Sequence, residues 1–293
     1  MTTDERTTLT EHTVPTSLGD LFVQESGSGP ALVMLHGGGP GASGHSNYHQ
    51  NLAALTPHFR VLLVDQPGFG RSHKPTAEEL EKGDGITSYT VTALIEALDV
   101  LGVERAHVLG NSLGGAAALA LALRAPERVD RLVLMAPGGG WLPFGATPTE
   151  GQKEMFRYYN GSGPSLTKMR TYLRVMLHNA GQIPEETLNE RYESSLDPDH
   201  QAFYHVLNAS FAARHGMDPL WRDVHRISSP TLLLWGRDDR TITLDGAQVM
   251  LKQIPDVRLH VFSRCGHWVQ LERRREFDRL VADFLMDGGE SGE

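Results

Sequence analysis

Three separated stretches of the chain carry residue types that together could perform nucleophilic acyl chemistry. The first is Gly110-Asn111-Ser112-Leu113-Gly114, which follows the apolar run Arg105 to Leu109 and precedes an alanine- and leucine-rich stretch to Leu123. A serine between glycines at a strand-to-helix junction reads as a nucleophile elbow, a turn that lifts the hydroxyl to the positive end of the following helix. The pentapeptide alone also recurs as an ordinary turn; the strand before it and the helix after it favour the chemical reading. Serine at its free pKa is a weak nucleophile, so a base must take its proton and a third group must orient that base. His267, in Cys265-Gly266-His267-Trp268, is the candidate base. Asp239 in Trp235-Gly236-Arg237-Asp238-Asp239 is the candidate acid, with its neighbour Asp238 as the rival. Attack on a carbonyl creates an oxyanion that needs prearranged N–H donors. The backbone of Leu113 and that of Gly38, in His36-Gly37-Gly38-Gly39, are the candidates, and His36 itself reads as structural.

These residues need a scaffold, and the apolar runs supply one. Ala31 to Leu35, Val61 to Val64, His107 to Leu109, Arg131 to Met135, Thr231 to Trp235 and Val257 to Phe262 read as strands buried on both faces. Helical patterns such as Thr90 to Leu101 and Leu244 to Ile254 separate them. This alternation predicts an α/β fold with a mostly parallel sheet and helices on both faces. The rhythm breaks between Pro137 and about Asp218, where Met169, Tyr172, Leu173, Met176 and Leu177 fall on one helical face. Pro148, Pro164, Pro184 and Pro198 mark helix starts there. The reading is an all-helical cap over residues 138–217, inserted after the sixth strand into a core formed by 1–137 and 218–293. Gly288 to Glu293 read as a loose tail.

The totals exclude several classes. With 293 residues, 40% hydrophobic and 22% charged, the composition is that of a globular enzyme. A net charge of −9 leaves no basic footprint for nucleic acid or anionic lipid. Met1 to Pro15 is charged and lacks an apolar core, so it does not read as a signal peptide, and the longest apolar run is too short to span a bilayer. The single cysteine, Cys265, suits a reducing cytoplasm. No Cys/His cluster has zinc-ligand spacing and no Gly-rich loop is followed by Lys-Ser/Thr, so neither metal nor nucleotide cofactor is expected.

Taken together, these segments resemble the meta-cleavage product hydrolases of the α/β-hydrolase superfamily. The resemblance rests on His36-Gly37-Gly38-Gly39-Pro40-Gly41-Ala42, Ser46-Asn47-Tyr48, Gly110-Asn111-Ser112-Leu113-Gly114-Gly115, Leu134-Met135-Ala136-Pro137-Gly138-Gly139, Pro148-Thr149-Glu150-Gly151, Trp235-Gly236-Arg237-Asp238-Asp239-Arg240 and Cys265-Gly266-His267-Trp268. It runs from about residue 30 to 286 and is weakest in the cap. It implies the α/β-hydrolase fold, the chain order serine, acid, histidine, and cleavage of a carbon–carbon bond in an anionic 2-hydroxy-6-oxo-hexa-2,4-dienoate. It implies that Arg191, in Asn189-Glu190-Arg191-Tyr192, binds the substrate carboxylate; the charged helix around it would otherwise make it a surface arginine. It further implies that Asn111 and Asn47 hold the polar end of the substrate, that Trp268 stacks near the histidine, and that the enzyme is a homo-oligomer, a dimer or tetramer.

The chain departs from the family at Thr243, where a proline usually precedes the leucine, and at Tyr158 to Gly163, which is rich in tyrosine and glycine. Leu244-Asp245-Gly246-Ala247 and Leu173-Arg174-Val175-Met176 lean slightly towards hydrolases of steroid ring products, with phenyl and alkyl tails open. The rival readings are a carboxylesterase or proline-iminopeptidase-like enzyme with the same triad, and a ligand-binding protein of the same fold that has lost turnover. An ester substrate has no use for a buried carboxylate clamp, and this chain keeps all three triad candidates.

Overall fold

The computed structural model describes residues 8–140, 145, 147–179, 181 and 183–287. Gly288 to Glu293 lie outside them. Eight strands form one sheet in the order β1-β2-β4-β3-β5-β6-β7-β8: β1 Thr10–Val14, β2 Leu21–Ser26, β3 Ala31–Leu35, β4 Arg60–Val64, β5 Ala106–Asn111, β6 Val129–Met135, β7 Thr231–Gly236 and β8 Val257–Phe262. From β4 to β8 all pairings are parallel. The first two strands pair antiparallel with each other and with β4.

The alternation of side chains along a strand explains how one sheet buries two faces. Val33, Leu35, Leu62, Val64, Val108, Leu134 and Trp235 pack on one side. That side is covered by α4 (Gly85–Val100), α5 (Leu113–Arg124) and α10 (Ala247–Gln253). Leu32, Met34, Val61, Leu63, Leu109, Val133 and Leu234 face the other way, against α2 (Leu52–Leu55) and α12 (Arg274–Met286). Short helices α1 (Gly44–Tyr48), α3 (Ala77–Lys82) and α11 (Val269–Glu272) complete the floor.

Two expectations need correction. The sequence reading does not include β1 and β2: Thr-Glu-His-Thr-Val is a half-exposed antiparallel edge strand with little apolar content, and β2 has a buried apolar run of only three residues, Leu21-Phe22-Val23, before Gln24 and Glu25. The last strand, β8, is parallel as expected but is not buried on both faces; it closes the sheet and leaves Val261 exposed.

Between β6 and β7 the described residues hold four helices longer than one turn and no strand: α6 (Glu150–Tyr158), α7 (Leu166–Met176), α8 (Glu185–Ser195) and α9 (Pro198–Ala213). Each starts where the prolines predict. Thr149 after Pro148 and Ser165 after Pro164 cap α6 and α7 with their hydroxyls, Pro184 is the N-cap of α8, and Pro198 opens α9. The stripe Met169, Tyr172, Leu173, Met176 and Leu177 is buried in a separate apolar cluster that includes Trp268 from the floor. No helix among the described residues is long and apolar enough to cross a membrane.

Candidate active site

Ser112 sits between the C-terminal end of β5 and the first turn of α5, with φ 56° and ψ −113°. A non-glycine residue in this region costs on the order of 1–3 kcal/mol and persists only when its surroundings impose it. Here they do. The Ser112 N–H donates to the Met135 carbonyl at 3.0 Å, and the Ser112 carbonyl accepts from Gly138 N–H at 2.8 Å and Ala116 N–H at 3.0 Å. The flanking glycines are a packing requirement. A Cβ at Gly114 would stand 2.2 Å from the Leu35 carbonyl oxygen, and one at Gly110 would stand 2.2 Å from that of Gly114.

The imidazole and the acid meet 28 residues apart in sequence, on loops that follow β8 and β7. Asp239 Oδ2 accepts from His267 Nδ1 at 2.7 Å, and both side chains are almost wholly buried. Asp239 Oδ1 accepts from the backbone N–H groups of Thr241 (2.7 Å) and Ile242 (3.0 Å). A carboxylate so held fixes the histidine with Nδ1 protonated and leaves Nε2 to act as a base. The rival Asp238 is spent elsewhere, on Arg237 and His178. The helical segment buttresses this pair from above. His267 N–H donates to the Met176 carbonyl at 2.7 Å, Thr149 Oγ1 donates to the Thr241 carbonyl at 2.8 Å, and Arg240 donates to the Leu177 carbonyl at 2.9 Å.

Arg191 is not on the surface. It is 1% exposed, and its guanidinium donates to the Pro40 carbonyl at 3.0 Å and to Asn47 Oδ1 at 2.6 Å while lying 4.4 Å from the centre of the Trp268 ring. Burial pulls its pKa below the ordinary arginine value. Tyr172 stands beside it, its hydroxyl pushed up to about 12 by burial. Three buried polar atoms around this end have no partner: Arg191 Nε, Asn47 Nδ2 and Asn111 Oδ1. Trp268 makes its ring contacts with Arg191 and Tyr172.

A cavity of about 430 Å³ opens above Ser112. Gly38 and Leu113 line its floor beside Ser112, while Gln152, Met155 and Phe156 of α6 and Tyr204, Leu207, Asn208 and Phe211 of α9 line its roof. His36 lies beneath, wholly buried, with Nδ1 on the Gly37 carbonyl and Nε2 accepting from Gln66 N–H. Burial depresses its pKa to about 3. Its neutral ring holds the loop that carries Gly38. The residue-level reading missed Met176, Pro40 and Thr149, which position the candidates through backbone carbonyls or a cap hydroxyl. Carbonyl partners leave no trace in side-chain type.

Among the departures, Thr243 adopts φ −69° and ψ 147°, the backbone of a proline, so the loop keeps its course. Tyr158 and Tyr159 belong to the apolar cluster under the helices, while Gly161 and Gly163 take positive φ in the turn that follows.

This architecture, with its elbow and its aspartate-held histidine, is that of an α/β hydrolase, and residues 30–274 match the model of the alpha/beta hydrolase fold family, to which the chain belongs. The chain is 42% identical over 273 residues to a 2-hydroxy-6-oxo-6-phenylhexa-2,4-dienoate hydrolase of Comamonas testosteroni, with 92% of each covered. It is 39% identical over 274 residues to a 2-hydroxy-6-oxononadienedioate/2-hydroxy-6-oxononatrienedioate hydrolase of the same species, again with 92% of each covered. The solved 2-hydroxy-6-oxo-6-phenylhexa-2,4-dienoate hydrolase of a Rhodococcus species matches with a TM-score of 0.85 at 29% identity, over 95% of this chain and 99% of that one. Within the α/β hydrolases, the chain belongs to the meta-cleavage product hydrolases.

Proposed function

We propose that this enzyme hydrolyses the C5–C6 bond of a 2-hydroxy-6-oxo-hexa-2,4-dienoate, releasing 2-hydroxypenta-2,4-dienoate and a carboxylic acid. The observation that carries the substrate end is the pair of buried donors without acceptors, Arg191 Nε and Asn47 Nδ2. Leaving such groups unpaired costs about 1–3 kcal/mol each, more for a charged one, and a carboxylate removes that cost. An ester hydrolase has no such need.

The chemistry follows from the parts. A carbanion is a poor leaving group, so the dienol first ketonises: its hydroxyl proton leaves and C5 gains one. Asn111 and the Arg191–Asn47 pair hold the resulting 2-oxo acid. Ser112 gives its proton to His267 and attacks C6, and the N–H groups of Gly38 and Leu113 receive the oxyanion. Collapse breaks C5–C6; the electron pair runs through C4 and C3 to the C2 oxygen, and the proton held by His267 passes to the product dienolate, which leaves the ring neutral again. Water, activated by His267, then releases the acid from Ser112. Asp239 orients the histidine throughout. No cofactor enters this sequence.

The tail on C6 is bulky and neutral. Met155, Phe156, Leu207, Phe211, Met217 and Trp221 dominate the cavity wall, and no lysine or arginine is among its described lining residues. A second carboxylate there would meet Gln152, Asn208 and His215 as polar partners, beside the acidic Asp218. We assign the cap to residues 138–217, and the reading extends to a cytoplasmic homo-oligomer.

Mixing the protein with a yellow 6-phenyl dienolate and following the colour tests the assignment. Rapid bleaching is expected, with Ser112→Ala slowing it on the order of 10⁶-fold. A phenyl-tailed substrate should exceed a carboxyethyl-tailed one by about 100-fold or more in kcat/KM. Fast turnover of nitrophenyl esters without bleaching would overturn the carbon–carbon reading.

A further inference from the structure

The seam between the sheet and the inserted helices holds a second group of donors, away from the serine. His45 on α1 and His49, which follows the end of α1 and opens a 3-10 turn, lie four residues apart, with the His49 N–H bonded to the His45 carbonyl. Their rings stack with centroids 4.8 Å apart and planes 13° from parallel. Glu190 on α8 comes down onto them, with Oε1 3.1 Å from His45 Nδ1. One donor atom from each of the three lies within 4.8 Å of the other two, and all three residues are half-buried.

His49 is already set up as a ligand. Its Nδ1 is hydrogen-bonded to the His45 carbonyl at 3.0 Å, which fixes the proton on Nδ1 and leaves the Nε2 lone pair free. Negative charge from Asp65 and Glu186 adds to that of Glu190 around His45. Arg191, the nearby cation, turns its head the other way, onto Pro40 and Asn47.

We propose that His45, His49 and Glu190 form a binding site for a late first-row divalent cation of the zinc type, bridging α1 and α8. Two imidazoles and one carboxylate suit zinc, copper or nickel and not the oxygen-seeking magnesium or calcium. Bonds of about 2.0–2.2 Å ask the donors to close to roughly 3.3–3.5 Å, a movement that half-exposed side chains make by rotation. Water fills the fourth position on the solvent side. The ion ties together the two helices that carry Asn47 and Arg191, so its binding stabilises the seated position of the helical segment.

The test uses the full chain, without an affinity tag and stripped by chelator, titrated calorimetrically with Zn²⁺. One Zn²⁺ per chain is expected, with binding at least tenfold weaker in His49→Ala and in Glu190→Gln. Metal-free melts of both variants at the wild-type temperature establish that they fold. Zn²⁺ should raise the melting temperature of the wild type and not of the variants, and Mg²⁺ should raise neither. Zinc affinity unchanged in both variants, or no saturable uptake up to millimolar zinc, overturns the site.

Discussion

The two ends of the proposed site are built on opposite principles. At the acid end the anchoring groups are paired: both Asp239 oxygens accept hydrogen bonds, and His267 is held at Nδ1 and at its backbone N–H, with Nε2 left for chemistry. At the Arg191 end the protein buries a cation and leaves Nε without an acceptor, with an equally orphaned amide nitrogen on Asn47. A finished network fixes the orientation of a base before substrate arrives. An unfinished one is a place where a ligand can repay a cost the fold has already met. The contrast separates chemistry from recognition, and it can be broken by experiment.

The largest effect belongs to the finished end. Asp239→Asn keeps the shape but lets the amide stabilise the wrong imidazole tautomer, so kcat should fall on the order of 10⁴-fold, for dienolates and simple esters alike. Stopped-flow bleaching and nitrophenyl acetate hydrolysis measure the two. Loss on one substrate only would show that Asp239 is not the shared orienting acid. The unfinished end should behave differently. Arg191→Gln removes a bidentate-capable cation, and kcat/KM for dienolates should drop about 10²–10³-fold. Ester hydrolysis should change less than tenfold. Equal losses on both substrates would mean Arg191 holds the fold and not the carboxylate.

Legibility in the sequence divides along the same line. The elbow could be read from Gly110, Ser112 and Gly114 because close backbone packing admits only glycine there, and glycine spacing is a sequence property. The pairing of Asp239 over Asp238 was readable from its position past the strand end. The burial of Arg191 was not readable from its own helix, whose neighbours are Glu185, Glu186 and Glu190. It arises from Pro40 and Asn47, about 150 residues away, and only likeness to a family pointed to it. The strand β1 escaped because it pairs antiparallel at a solvated edge, where polar residues alternate freely, and β2 because its apolar run is only Leu21 to Val23. His45 and His49 escaped because their carboxylate partner, Glu190, lies about 140 residues further along, on a helix within the insertion.

Two further histidines, His36 beneath the Gly38 loop and His200 on α9, are buried and neutral, and pH should expose them together. Burial lowers His36 to about 3 and His200, on α9, to about 4. The unfolded chain takes up these protons as pH falls below about 6.5, and the folded chain does not until it nears those lower values. Their stabilising contribution is therefore complete above 6.5 and is lost on acidification, at up to about 1.4 kcal/mol per pH unit for each ring. Asp278, raised to about 6 by burial, runs the other way and offsets part of this loss between pH 6 and 4. Urea melts at pH 7 and pH 5 should show a smaller drop for His200→Gln than for the wild type. A flat wild-type profile would mean that these rings protonate in place.

The smallest effect tests whether the loop that holds Asp239 is also finished in its backbone. Thr243 carries φ −69° and ψ 147°, follows a buried Ile242 whose carbonyl accepts from Trp235 Nε1 at 2.8 Å, and starts the 3-10 turn Leu244–Gly246. A proline ring at 243 matches that φ and narrows the unfolded ensemble, so Thr243→Pro should stabilise by about 0.4–1 kcal/mol. That corresponds to a rise of roughly 1–3 °C in melting temperature for a chain of this size. Turnover should not change, because Asp239 is anchored through the N–H groups of Thr241 and Ile242, both upstream of the substitution. A fall in kcat with the melting temperature unchanged or higher would show that the Thr243 hydroxyl or N–H shapes the acid loop itself.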